Sequence, residues 1–106
     1  MNETCSIQHM DDAPRVPFDL DGRILFSSDK LELIHLTLKP GEEVGFHTQP
    51  FDVLFYVSEG DGFLRTENKE LTGTPGTLMK VTAGVQRSLK NPGTIAMKIL
   101  VIKLLK

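Results

Sequence analysis

The chain has one cysteine, Cys5, so it has no internal disulfide, and a lone thiol fits a reducing compartment. It also lacks an apolar run of the ~20 residues that a membrane helix requires. The densest stretch, "ILVI" at 99–102, is flanked by Lys98 and Lys103, and no membrane partner is expected. Neither sign of charge dominates. Twelve Lys and Arg against 14 Asp and Glu give a formal net charge of −2, which removes the electrostatic basis for holding nucleic acid or an anionic bilayer. No basic helix-turn-helix accompanies the chain. The start, "MNETCSIQHMDD", lacks both the basic opening and the apolar middle of a signal peptide, so a cytoplasmic location is expected. Long helical patterns are nearly absent.

What is present reads as β-structure. The 106 residues are enough for one core, and 40% hydrophobic with 25% charged residues is ordinary for a globular domain. Residues 1–17 are polar, end in "APRVP" and show no sustained period, so they are expected to form a flexible or partner-contacting arm, with one domain over 18–106. Glycine and proline then punctuate the chain at Gly22, "PGE" 40–42, "EGDG" 59–62, "GTPG" 73–76, Gly84 and "NPG" 91–93. Between them lie short runs rich in Val, Ile, Leu, Phe and Thr, as in an all-β sandwich or barrel. The last run, 94–106, has Lys98, Lys103 and Lys106 on one helical arc, but Lys98 and Lys103 differ in strand parity. Its β-branched Thr94, Ile95, Ile99, Val101 and Ile102 favour a strand.

Two spaced patterns stand out. The first runs from Gly41 through five residues to His47, then Gln49, Val53 and Gly60; the second runs Gly76, Thr82, Gly84, Arg87, Asn91. In this spacing the chain resembles the cupin family, small jelly-roll β-barrels, over about residues 30 to 105. The resemblance implies a metal site built by two His and a Glu of the first motif with a His of the second. Carried to this chain, those positions are His47, Gln49, Val53 and Arg87. Only His47 is a strong ligand: Gln49 offers a neutral carbonyl, Val53 no donor, and Arg87 a fixed positive charge. Zinc and iron sites commonly supply at least three protein ligands, so neither a metal nor another cofactor is expected.

Alternation along "FDVLFYV" places Phe51, Val53, Phe55 and Val57 on one face, with Asp52, Leu54, Tyr56 and Ser58 on the other. If Val53 faces inward, the expected interior is an apolar cup of Phe51, Val53, Phe55, Met79 and Leu89 with three polar heads, His47, Gln49 and Arg87. Apolar walls with few polar groups describe a small-molecule site, and Arg87 suits an anion such as a carboxylate. The competing expectation is a barrel filled by its own side chains. His35, on the face of Leu33 and Thr37, would approach His47 only if that face were inward. Cys5 and His9 form a weak pair on the arm. Glu42 and Glu43 are expected to be solvated in a turn. Leu54 and Tyr56 make the strand apolar on both faces, so another sheet or a second copy should cover the outer one. A homodimer is expected, since the resemblance implies it too.

The functional expectation is a metal-free cupin binding a small anionic molecule. The alternative is a cupin enzyme, of the metal-independent epimerase or isomerase type with His47 as base, or a metal-dependent isomerase or dioxygenase. A dimerising structural barrel is a further alternative.

Overall fold

A computed structural model describes residues 4–106; the first three positions of the expected arm lie outside the described residues. After a short 3-10 turn at Met10–Asp12 come nine strands: β1 (Asp21–Ser27), β2 (Leu31–Leu38), β3 (Glu43–His47), β4 (Asp52–Glu59), β5 (Gly62–Arg65), β6 (Glu70–Gly73), β7 (Leu78–Val81), β8 (Arg87–Lys90) and β9 (Met97–Leu104). They form a five-stranded sheet in the order β1-β2-β9-β4-β7 and a four-stranded sheet in the order β3-β8-β5-β6. Every strand pairing in both sheets is antiparallel. The all-β jelly roll expected from the sequence is present. It is an open one, because β1 and β3 are edge strands of different sheets and no ladder closes the barrel between them.

Period-two alternation decides what lies between the sheets. Val53, Phe55 and Val57 of β4 are buried, as are Ile34, Leu36 and Leu38 of β2 and Met97, Ile99 and Val101 of β9. With Leu64, Met79, Val81 and Leu89 they make one core, each buried side chain contributing about 1.5–3 kcal/mol over exposure. The opposite parity of the two lysines in β9 is accommodated by the two faces. Lys98 points outward to Glu59 at 3.4 Å, while Lys103 lies on the inner side, 3.5 Å from Glu32 at the rim. Met97 and Ile99 have no exposed surface, and the last run, expected as a strand over 94–106, is one over Met97–Leu104.

The spacing of the two motifs is kept by backbone needs. Gly41, Gly60, Gly76 and Gly84 are the described residues with positive φ. At Gly60 a Cβ would also come within 2.5 Å of the Ala96 carbonyl oxygen. Asn91 is fully buried, and its Nδ2 donates to the carbonyls of Leu38 (2.9 Å) and Ile95 (2.8 Å) while Oδ1 accepts from Gly93 N–H (2.9 Å). It ties the end of β2 in one sheet to the end of β8 in the other.

The segment before β1 is laid against that strand. Ile24 N–H donates to the Pro14 carbonyl and Val16 N–H to the Gly22 carbonyl, at 2.8 and 2.9 Å. Arg15 bridges to Arg23.

Candidate functional site

A cleft with about 110 Å³ of free volume opens between the two sheets on the side where β1 and β3 are edges. The larger sheet lends it Ile34, Leu36, Val53, Phe55 and Val101, all inner-face residues by register. The smaller sheet lends Val44, His47, Arg87 and Leu89, with Gln49 just beyond β3.

His47 reaches this wall through an irregularity. Val44 pairs with Leu89, but the next register pair is His47 with Arg87, so β3 carries an extra residue between them. Strict alternation from Val44 would turn Phe46 inward and His47 out. The bulge reverses this: Phe46 is 55% exposed and His47 lines the cleft. A one-residue bulge re-aims the side chains that follow it. The ring is then fixed by the Gly45 carbonyl, 2.8 Å from Nδ1. In the neutral ring Nδ1–H donates to that carbonyl and Nε2 carries the lone pair.

Arg87 is the unusual member. Its side chain is 1% exposed, Nε donates to the Val85 carbonyl at 2.9 Å, and Nη1 and Nη2 are buried with no hydrogen-bond partner among the described residues. Burial pulls the guanidinium below its ordinary pKa by desolvation, yet an arginine stays protonated at any working pH. A buried charge normally has an ionic partner. The other cation on the cleft wall, Lys103, has Glu32; Arg87 has only a carbonyl.

The expected site residues therefore separate into two groups. His47, Gln49, Val53, Phe55 and Arg87 line one cleft, as does Leu89. Phe51 is half-buried and packs against the core beside it, and Met79 lies within the core, where a Cβ on Gly73 would come within 2.8 Å of its Cε. Neither belongs to the cleft wall. His35 is not brought to His47: it lies on the outer face of the larger sheet, opposite Leu100 of β9 and Arg23 of β1. Asp52 also faces outward, its Oδ1 accepting from Ala83 N–H at 2.8 Å. Glu42 accepts from Lys39 N–H at 2.7 Å within its turn. His9 accepts from Asp11 N–H at 3.1 Å, and Cys5 is exposed.

Sequence reasoning missed one wall. Val16, Phe18, Leu20 and Gly22 also line the cleft. The signal for it was the alternation V-P-F-D-L at 16–20, too short and too broken by proline to read as an element. Gly22 is needed there, because a Cβ would sit 2.7 Å from Val16 Cγ2. A more open outer groove, with about 470 Å³ of free volume, shares Phe18, Leu20, Val44, His47 and Gln49 and adds Asp19 and Glu43.

The donors do not fit a divalent cation at this place. Val53 occupies the carboxylate position, and Arg87 faces His47 directly across the β3–β8 pair. Among the described residues no group of three His, Cys, Asp or Glu is arranged to hold a metal ion.

Solved structures with this fold include a predicted oxalate decarboxylase from Thermotoga maritima, 22% identical with a TM-score of 0.75, covering 80% of this chain and 79% of that one. A cupin superfamily protein from Desulfitobacterium hafniense is 16% identical with a TM-score of 0.78, over 100% of this chain and 95% of that one. At such identities the likeness shows the fold. No curated protein matches the chain. The family model described as "Cupin domain" matches residues 34–103, which takes in both motifs, most of the span from β2 to β9 and the cleft walls other than the one at 16–22. The chain belongs to the cupin family.

Proposed function

We propose that the protein binds a small organic anion in the cleft, without a catalytic metal, and that Arg87 is the anchor. The observation that carries this reading is the guanidinium itself: 1% exposed, on an apolar cleft wall, with both terminal nitrogens unpartnered among the described residues. A carboxylate against Nη1 and Nη2 would satisfy both donors in a bidentate pair and neutralise the charge; because both nitrogens are buried, the wall around them must shift to admit it. His47 and Gln49 supply neighbouring polar groups that orient the ligand.

Binding is favoured over catalysis by what surrounds His47. Its ring is held by a backbone carbonyl, Gly45; among the described residues the carboxylates that share a groove with it, Asp19 and Glu43, lie on the outer side, and none lines the cleft or bonds the ring to orient it as a general base. The test is calorimetric titration with small carboxylates of the native protein and of Arg87→Met. Binding by the native protein that is lost in the variant supports the reading; equal binding by both, or none by either, refutes it.

The expected partner is a second copy of the chain on the outer face of the larger sheet. Phe26, Tyr56 and Leu78 are exposed there, flanking Leu33, Leu54, Leu100 and Ile102. The charges on this face are paired within the chain: Asp21 with Arg23, Asp52 with Lys80, Glu59 with Lys98. A two-fold interface sets a surface against itself, so a face of one sign would repel its copy; this one does not.

A further inference from the structure

Resting on the anion-binding reading, we infer that the ligand is a monocarboxylate with a compact apolar body, in size between a short fatty acid and benzoate, and that di- and tricarboxylates, phosphate esters and sugar nucleotides are rejected. Three features lead to this class.

The first is the charge balance. Among the described residues two cations reach the cleft, but Lys103 is matched by Glu32 at 3.5 Å, which leaves Arg87 as the one on the wall without an ionic partner. One negative charge completes the site, and a second would lack a cation and would have to be desolvated against hydrocarbon. The second feature is the entrance. The outer groove carries Asp19 and Glu43 beside His47 and Gln49. A ligand whose anionic end has passed inward to Arg87, which lies on β8 one strand inside edge strand β3, would place any second anion near those carboxylates. The third is volume and chemistry. Ile34, Leu36, Val44, Leu89 and Val101 give the walls no polar side-chain atom, and the free volume is about 110 Å³. An apolar protein cavity of about 150 Å³ takes up benzene, so this cleft, open at its mouth, holds a body of roughly six carbons. A larger ligand would have to extend into the outer groove, about 470 Å³, where it meets Asp19 and Glu43.

The experiment titrates the full chain with benzoate, hexanoate, benzamide, oxalate, succinate and inorganic phosphate, then repeats the series with Arg87→Met, its fold checked by circular dichroism. Benzoate and hexanoate should bind about tenfold or more tightly than benzamide, which has the same body without the charge, because a charge-assisted pair is lost. They should exceed oxalate, succinate and phosphate by a similar factor, and Arg87→Met should remove the preference for benzoate over benzamide. Binding of oxalate, succinate or phosphate as tight as that of benzoate, and dependent on Arg87, overturns the monocarboxylate class while leaving the anion site standing. Benzamide binding as well as benzoate, or no Arg87-dependent binding of any anion, overturns both. The comparison within the native protein decides the matter even if the variant misfolds.

Discussion

Arg87 works against the stability of the fold that holds it. A guanidinium taken out of water and left with one carbonyl partner costs several kcal/mol. An apolar side chain of similar length should relieve that cost. Arg87→Met is therefore expected to raise the melting temperature of the ligand-free protein, by about 1–3 kcal/mol in stability, and a lowered melting temperature would mean that the arginine serves as a structural strut. His35 carries a second prediction. Desolvation, and then the charge of Lys98, lower its pKa from 6.5, against smaller opposing effects of Asp21 and Glu59. Its Nδ1 is buried without a partner among the described residues. The unfolded chain then takes up a proton at a higher pH than the folded one. The contribution of His35 is complete above about pH 6.5 and is lost as the pH falls from there towards the folded value. Urea titrations at descending pH should show stability declining below that point, and less steeply in His35→Leu.

At the level of elements, the strands and their facing were legible because side-chain direction repeats every two residues. Val53, Phe55 and Val57 fall on one face and Leu54 and Tyr56 on the other by alternation in "FDVLFYV", and the motif position of Val53 set the first group inward. The motif glycines and Asn91 kept their spacing because backbone conformation and a buried hydrogen-bond hub demand it. The residues that carry chemistry at the intervening positions are free of that demand, and there the chain departs from the pattern that the resemblance implies. Two things were not legible. The bulge in β3 adds one residue without any compositional mark except Gly45, so alternation from Val44 misplaces His47. The cleft wall at 16–22 depends on Val16 fitting over a missing Cβ, which is a matter of packing and not of pattern. Gly22→Ala tests that wall. The added methyl meets Val16 at 2.7 Å, so the segment must lift, with a loss of about 1–3 kcal/mol and weaker ligand binding. Unchanged stability and affinity would show that residues 13–16 are not fixed along β1.

At the scale of the whole molecule, the two proposed tasks fall on separate surfaces: the side cleft for a ligand and the outer sheet face for a copy. Light scattering should give twice the chain mass, and Tyr56→Glu combined with Leu78→Glu, both exposed positions, should give single chains that remain folded. A native protein that scatters as one chain at every concentration would exclude the dimer. The open jelly roll has a consequence for how the cleft and the scaffold depend on each other. The strands that flank the opening, β1 and β3, belong to different sheets and are not hydrogen-bonded to one another. A guest lodged between them acts as mortar across an unsealed joint, so its binding should slow amide exchange most in β3 and in residues 13–20. Strand β9, already paired on both sides, should barely register the guest's arrival.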